Sequence, residues 1–227
     1  MKKAIIIILL AVAVIGGGAL LKKDNKQPAA EPTSRTFGAG KTGVVLKEYA
    51  DFQCPGCGGF YPILKQVKDK YKDQITFQFV NFPLTQIHQN AMAAHRAAQA
   101  AGDQGKFWEM HDLLYENQNT WKDSINTTRD FEAYATQLGL DMAKYKIDFA
   151  SSATSNIIQA DIRTGQDLKV TGTPTFFLDG KQLEDNNAIA SLEKFSKVID
   201  AAIFAKTGQQ PAATDASKIQ ITTTPSN

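Results

Sequence analysis

The sequence predicts an α/β fold in which a long run of helices interrupts a small sheet. Strand-like segments occur at residues 44–52, 75–80 and 175–178. Between about residues 85 and 170, apolar side chains recur instead at the spacing of amphipathic helices. Apart from its two ends, the chain is long enough for one domain of about 170 residues that carries an inserted subdomain.

The first strand leads directly into a predicted helix. Residues 44–52 begin with β-branched side chains and then alternate loosely, which is typical of a short buried strand. The apolar residues that follow fall on one helical face, which predicts a helix that begins near residue 55. They are Phe60, Leu64, Val67 and Tyr71.

Apolar stripes also predict the helices of the inserted region. The stripes comprise Phe107, Trp108, Met110, His111 and Leu114; then Phe131, Tyr134, Ala135 and Leu138; and then Ile158, Ile162 and Leu168. Thr127 and Asp130 have the spacing of a capping box ahead of the second stripe. A final helix is predicted from about Ala188 to Ala205.

The N-terminal segment, residues 1–21, predicts export. Its apolar part, Ala4–Leu21, is flanked by lysines and would span about 27 Å as a helix, close to the bilayer hydrocarbon thickness of about 30 Å. We interpret it as a single-pass membrane anchor or as a signal segment cleaved after Ala19. The rest of the chain is then expected at the outer face of the cytoplasmic membrane, or secreted or periplasmic after cleavage. Disulfides persist in those compartments.

The remaining segments divide by composition. Residues 22–35 are polar and predict a flexible linker. Residues 36–206 form the predicted folded domain, and residues 207–227 form a polar C-terminal tail to which we assign no fold. The net charge of +2 is too small to indicate a nucleic-acid partner.

Cys54 and Cys57, the only two cysteines, lie between the first strand and the first helix in the sequence Cys54–Pro55–Gly56–Cys57. A helix N-terminus stabilises an anion, so Cys54 is expected to be a reactive thiolate and Cys57, one turn inside, to react second. Pro55 suits the first helical turn because its missing N–H needs no partner there, and Gly56 keeps the turn uncrowded.

The cysteine pair has two other interpretations. A structural disulfide between Cys54 and Cys57 would close a very small loop and add little stability. A structural zinc site needs four ligands, and the chain has no second cysteine pair. We therefore expect a redox dithiol with no metal and no cofactor.

A second motif lies far downstream, where Thr173–Pro174 precedes the apolar run Thr175–Leu178. A proline at the entrance to a strand is a suitable place for a cis peptide bond. Taken together with the upstream cysteine motif, this motif is a much stronger signal than it is alone.

Together, these motifs resemble the thioredoxin superfamily and, more closely, the DsbA-like thiol-disulfide oxidoreductases of the bacterial envelope. Glu48–Cys57 is similar to the strand and active-site segment of that family, and Gly172–Phe177 is similar to its cis-proline loop. The helical region between them is similar to the family's inserted domain. The resemblance covers roughly residues 36–206 and implies a thioredoxin-like fold with a helical insertion at about 85–170.

The resemblance also implies roles for individual residues. Cys54, Cys57 and Pro174 are the expected catalytic residues, together with Glu48, which occupies the position of a buried acid in the family. Thr173, Pro55 and Gly56 are the expected substrate contacts. Glu48 has two interpretations: a buried carboxylate that relays a proton to Cys57, or an edge residue that faces solvent.

The expected function is donation of the Cys54–Cys57 disulfide to unfolded exported proteins that contain cysteines. The implied re-oxidant is a quinone-linked membrane protein of the DsbB or VKOR type, and the protein is expected to be a monomer. Two features keep a reductase or isomerase open: no histidine lies between the cysteines, and Thr173 precedes the proline. A metal-binding envelope module is a further alternative.

Overall fold

A computed structural model describes residues 31–33 and 35–211 of the chain. Within these residues the sheet has the order β1-β3-β2-β4-β5. Its strands are β1 (Thr36–Phe37), β2 (Val45–Ala50), β3 (Thr76–Asn81), β4 (Thr175–Leu178) and β5 (Lys181–Gln182). The helices are α1 (Pro55–Tyr71), α2 (Ala91–Gly102), α3 (Phe107–Glu116), α4 (Gln118–Trp121), α5 (Thr127–Gln137), α6 (Met142–Ala150), α7 (Ser152–Asp167), α8 (Asn186–Ile189) and α9 (Leu192–Thr207).

The central strand of the sheet is β2. It pairs in parallel with β3 and antiparallel with β4, so both of its edges are hydrogen-bonded. Glu48, in the middle of β2, lies opposite Phe79 on one side and Phe176 on the other. The carboxyl end of β2 leads into the turn that carries Cys54. The predicted α/β architecture, with helices inserted between β3 and β4, is confirmed.

Helices α1 and α9 cover one face of the sheet. Their apolar side chains form a core with the side chains of β2, β3 and β4, because each element places one apolar face against the others. The fully buried members include Val44, Leu46, Val67, Ile75, Phe176, Phe195 and Ile199. This core holds α1, and therefore the cysteines at its N-terminus, against the sheet.

The inserted helices surround the alanine-rich helix α2. Ala94, Ala97, Ala98 and Ala101 recur at i, i+3, i+4 and i+7 and are fully buried. Their small side chains allow α3, α5, α6 and α7 to approach α2 closely. Larger side chains such as Met110, Trp121, Phe131 and Tyr145 complete this second core.

Two helix boundaries differ from the sequence prediction. Helix α5 is capped by Asn126, whose side chain accepts a hydrogen bond from the Arg129 N–H, so Thr127 is already the first helical residue. The predicted final helix is divided into α8 and α9, because Ser191 caps a new helix by accepting from the Lys194 N–H. Helix α6 was not predicted; only Tyr145 is fully buried there, while Met142 and Phe149 pack against the same core partly buried.

Residues assigned to the linker contact the folded domain. The Thr33 N–H donates to Asp161 Oδ1 at 2.7 Å, and the buried Asp161 carboxylate also accepts from the Asn81 N–H. Arg35 donates to Asp103 Oδ1 at 2.6 Å and to Gln99 Oε1 at 3.0 Å. Thr33 and Arg35, at the end of the predicted linker, therefore make directional contacts with the folded domain.

The predicted anchor or signal segment (1–21), most of the linker and most of the tail lie outside the described residues. In the part of the chain that the structure describes, no helix combines the length and the apolar character needed to cross a membrane.

The stacked rings of Phe79 and Phe52, whose centroids are 4.8 Å apart, predict where stability is concentrated. Phe79→Ala should lower the free energy of unfolding by about 3–5 kcal/mol, because it leaves a cavity in the core. The matched change Phe204→Ala, at a side chain that is 49% exposed, should cost well under half of that. Urea unfolding of both variants checks this; equal losses would contradict the core assignment.

Candidate active site

Cys54 lies at the junction of β2 and α1. It is the N-cap of α1, with extended backbone angles of φ −64° and ψ 123°, and Pro55 is the first helical residue. The Cys54 N–H donates to Asp51 O at 3.1 Å, and the Cys54 carbonyl accepts the first helical hydrogen bond from Gly58 at 3.1 Å. The turn is therefore fixed by backbone hydrogen bonds on both sides of the cysteine.

The surroundings of the Cys54 thiol favour its ionised form. A hydrogen bond from the Cys57 thiol does most to lower the pKa of Cys54, from 9.0 to about 5. The backbone N–H groups of Gly56 and Cys57 add to this effect, while burial opposes it. These N–H groups belong to the N-terminus of α1, where unpaired donors and the helix dipole stabilise a negative charge.

Cys57 has the opposite character. Its side chain is 1% exposed, and burial raises the pKa of its thiol well above 9.0. The hydrogen bond that it donates to Cys54 and the nearby charge of Glu48 raise the pKa further. In the reduced protein, Cys54 is thus the thiolate and Cys57 the proton-bearing partner.

Glu48 is buried beneath the dithiol. It is 6% exposed, and burial raises the pKa of its carboxyl from 4.5 to about 8, although the charge of Lys68 opposes the shift. The interpretation of Glu48 as a solvent-facing edge residue is therefore wrong, since β2 is a central strand.

Lys68 provides the positive charge nearest to Glu48 in a mainly apolar setting. Its Nζ lies 3.9 Å from the ring centre of Trp108 and 5.0 Å from that of Phe37, a cation–π arrangement. Asp112 Oδ1 is 3.9 Å from the same Nζ. Burial lowers the pKa of Lys68, so Glu48 and Lys68 form a pair in which each group influences the ionisation of the other.

The downstream loop meets the dithiol, and its Thr173–Pro174 peptide bond is cis, as the sequence indicated. The Cys54 Sγ lies 3.3 Å from Thr173 O, a contact in which Cys54 can donate only as the protonated thiol. A Cβ placed on Gly56 would lie 3.5 Å from both Thr173 O and Pro174 Cδ and 3.6 Å from Cys54 Sγ. The residues predicted from two distant motifs therefore lie around one sulfur atom, with Pro55 exposed at the rim.

The sequence analysis did not identify Asp51 as a part of the site. Its fully buried carboxylate accepts hydrogen bonds from the N–H groups of Gln53 and Leu84, at 2.8 and 2.9 Å. Asp51 Oδ2 also lies 2.7 Å from His88 Nδ1. Asp51 thus ties the turn before Cys54 to the segment that enters the helical insertion.

His88 and His95, which are seven residues apart, do not share a helix face. His88 precedes α2 in a turn, whereas His95 lies inside α2, is fully buried, and has its Nδ1 2.7 Å from Asn81 Oδ1. Throughout residues 31–33 and 35–211, no three or more His, Cys, Asp or Glu side chains are grouped so as to hold a metal ion.

A sheet of this topology, an inserted helical region and a Cys-X-X-Cys dithiol beside a cis-proline define the class of thioredoxin-fold dithiol proteins. The chain belongs to the thioredoxin family: a family model described as Thioredoxin matches residues 30–201. Within that family its fold is DsbA-like, as the following solved structures show.

The similar solved structures share the fold at low sequence identity. BdbD from Bacillus subtilis superposes with a TM-score of 0.65 at 18% identity, covering 77% of this chain and 97% of BdbD. A variant of α-DsbA1 from Wolbachia pipientis gives 0.63 at 20% identity, covering 78% and 94% of the two chains. MdbA from Actinomyces oris, described as a thiol-disulfide oxidoreductase, gives 0.61 at 18% identity, covering 73% and 86%.

Curated relatives are more similar in sequence but much longer. The Na⁺/H⁺ antiporter NhaA 1 of Salinispora arenicola is 36% identical over 169 residues, which are 74% of this chain and 24% of the antiporter. NhaA 3 of Salinispora tropica is 36% identical over 139 residues, or 61% of this chain and 20% of that protein. The chain thus spans about a quarter of the length of these relatives or less, and their names describe the whole antiporter chains.

The unequal thiols predict a pH profile for alkylation. In the reduced protein, Cys54 should react with iodoacetamide at half its maximal rate near pH 5, while Cys57 stays unmodified below pH 9. Cys57→Ala should shift the midpoint upward, because it removes the hydrogen bond that does most to lower the Cys54 pKa. Mass spectrometry after timed quenching gives both rates; a midpoint above pH 8 in the unaltered protein would contradict this description of the site.

The raised pKa of Glu48 predicts a loss of stability as pH rises from about 4.5 to about 8. Its pKa is higher in the folded protein, about 8, than in the unfolded chain, so its contribution is complete below pH 4.5 and is lost as pH rises through 8. Across that window, Glu48→Gln should gain stability relative to the unaltered protein by up to about 1.4 kcal/mol per pH unit.

Urea unfolding of the two reduced proteins from pH 4 to 9 measures the difference. Burial also raises the pKa of Asp161, to about 6. Because Asp161 is present in both proteins, its contribution to the pH dependence cancels in the difference. Parallel stability curves would show that Glu48 ionises as freely in the folded protein as in the unfolded chain.

Proposed function

We propose that this protein is a thiol-disulfide oxidoreductase that donates its Cys54–Cys57 disulfide to exported proteins during oxidative folding. The observation that carries the proposal is the lowered pKa of Cys54 beside the raised pKa of Cys57. The DsbA-like fold and the descriptions of solved structures with that fold support it.

The acidity of Cys54 decides the direction of exchange. A thiolate exists only in the reduced protein, so stabilising it stabilises that form and makes the disulfide oxidising. Each unit by which the Cys54 pKa lies below pH 7 favours the reduced form by about 1.4 kcal/mol. The same unit moves a two-electron potential by about 30 mV towards the oxidising side.

The first step breaks the disulfide of the protein. A substrate thiolate attacks Cys54 Sγ, forming a mixed disulfide and releasing Cys57 as the leaving group. A buried Cys57 thiolate is costly, so it takes up a proton as it leaves. Glu48, with a pKa of about 8, holds that proton near neutral pH and can supply it from beneath the dithiol.

The second step releases the substrate. The second thiolate of the substrate attacks the substrate sulfur of the mixed disulfide, and Cys54 leaves as its stabilised thiolate. The substrate has then lost two electrons and gained a disulfide, and the protein holds a dithiol. A membrane re-oxidant of the DsbB or VKOR type, which passes the two electrons to a quinone, would restore the Cys54–Cys57 disulfide.

The substrate chain is proposed to bind along the cis-proline loop. Thr173 and Pro174 border Cys54 Sγ, while Pro55 and Gly56 form the exposed rim on the other side. Backbone pairing with residues 172–174 would present a substrate cysteine of any sequence context to the sulfur. A monomer is sufficient for this binding mode, and residues 1–21 would keep it at the membrane.

A disulfide reductase or isomerase is the second candidate, because Thr173 precedes the proline and no histidine lies between the cysteines. It would work with a Cys54 of nearly ordinary pKa, and the lowered pKa favours the donor instead.

The proposed function predicts distinct behaviour of the two cysteines. The oxidised protein should oxidise a reduced, unfolded substrate that contains two cysteines, at a potential well above that of thioredoxin in glutathione buffers. Cys54→Ser should abolish the reaction, because it removes the attacked sulfur. Cys57→Ser, offered a substrate that already contains a disulfide, should accumulate mixed disulfides, because the Cys54 thiolate attacks that disulfide and no Cys57 thiol is present to resolve the product.

Non-reducing gels and mass spectrometry identify these species, with the exposed Ser152→Ala as a handling control. A thioredoxin-like potential would assign the protein to the reductase or isomerase class. Full turnover by Cys54→Ser would refute the dithiol mechanism altogether.

A further inference from the structure

One side chain of the helical insertion contacts the backbone of the dithiol turn directly. Gln118, the first residue of α4, donates through Nε2 to Phe52 O at 2.7 Å and to Cys54 O at 2.9 Å. Both hydrogen bonds are buried, and the side chain is 7% exposed. The amide therefore joins two carbonyl groups that lie on either side of Gln53.

The neighbouring helix has a glycine where Gln118 passes. A Cβ on Gly58 would lie 2.8 Å from Gln118 Cδ and nearer still to Oε1, so any larger residue at that position would displace the amide. The Gly58 N–H donates to the same Cys54 carbonyl at 3.1 Å. This carbonyl thus accepts one hydrogen bond from α1 and one from the insertion.

Helix α4 is held rigidly although it has only four residues. Trp121 at its end is fully buried, donates from Nε1 to Leu114 O at 2.7 Å, and packs edge-on against Phe131 at 5.2 Å. The position of Gln118 is therefore set by the core of the insertion.

The residue before Cys54 is tied to the same region. Gln53 accepts from the Asn90 N–H at 2.7 Å and donates to Lys122 O at 2.7 Å. Asn90 also donates through Nδ2 to Lys122 O and Ser124 O, both at 3.0 Å. Two side chains, Gln53 and Gln118, therefore join the segment Phe52–Cys54 to the insertion. Only Gln118 contacts Cys54 itself.

We propose that Gln118 is a positioning residue through which the helical insertion holds Cys54 in the conformation that favours its thiolate. The proposal rests on the proposed function, and it names a residue that helps to set the direction of thiol-disulfide exchange. Gln118 and Gly58 draw the Cys54 carbonyl into the first turn of α1, which keeps the Gly56 and Cys57 N–H groups directed at the sulfur. The two hydrogen bonds from Gln118 and Gly58 also partly neutralise the negative end of the Cys54 carbonyl dipole, which lies close to the thiolate.

The test is Gln118→Met, which keeps the length and volume of the side chain but removes the N–H donor. In the full-length reduced protein, we expect the alkylation midpoint of Cys54 to rise by about one pH unit, a tenfold loss of acidity. The potential in glutathione buffers should fall by about 30 mV, the equivalent of that shift.

The matched control is Gln104→Met. Gln104 also makes two side-chain hydrogen bonds to backbone in the insertion, to the carbonyl and N–H of Asp141, but it does not reach the dithiol. Both variants should lose some thermal stability, whereas only Gln118→Met should change the Cys54 midpoint. A folded Gln118→Met protein with an unchanged midpoint and potential would overturn the proposal, because a purely structural role lowers stability alone.

Gly58→Ala provides a second route if Gln118→Met does not fold, since its methyl group displaces the same amide from the side of α1. A rise of the Cys54 midpoint in this variant supports the proposal, and an unchanged midpoint overturns it. Both tests compare a variant with the unaltered protein. They therefore stay decisive even if the unaltered protein has a thioredoxin-like potential and the proposed direction of exchange fails.

Discussion

The whole site depends on the hydrogen bonds that the first turn of α1 and the Cys57 thiol direct at Cys54 Sγ. They place a negative charge on one of two neighbouring sulfurs while burial keeps the other protonated. The sheet, the cis-proline loop and the insertion all serve to hold this turn in place. β2 delivers the chain to it, α1 supplies the donors, and the carbonyl of Thr173 covers the sulfur at 3.3 Å.

A buried polar layer connects this turn to the rest of the protein. Asp51 links the turn to the segment after β3, and Asp161 on α7 links β3 to Thr33 near the start of the domain. Buried carboxylates are tolerated there because nearly every oxygen accepts a backbone or side-chain donor. The insertion is therefore joined to the sheet by directional hydrogen bonds as well as by its apolar core.

The parts of the site that could be predicted from the sequence are those that lie in short continuous motifs. Cys54, Cys57 and Pro174 were proposed because a strand, a helix start or a strand entrance lies beside each of them, and Glu48 because the family resemblance places a buried acid at its position. Gln118 could not be found in this way, since its partners are backbone carbonyls more than 60 residues earlier. The same holds for Asp51 and His88, whose contact forms only when the chain turns after β3.

The helices, too, could be predicted only where their burial leaves a clear local pattern in the sequence. Helices with a wide apolar face, such as α1 and α3, were predicted because burial leaves a periodic pattern. Helix α6 carries a weaker signal, because only Tyr145 is fully buried and Met142 and Phe149 beside it are partly buried. The start of α5 was displaced by one residue because Asn126, and not Thr127, turns its side chain onto the helix.

The two outer strands of the sheet, β1 and β5, have only two residues each. An exposed strand edge is a template on which another extended chain can pair, and short edges limit such pairing. Under the proposed function the protein would meet many extended chains, and pairing at the rims of the sheet would lead to co-aggregation. In the described part of the chain, the sheet offers little free edge, so the backbone pairing proposed for substrates would be confined to the proline loop, beside Cys54 Sγ.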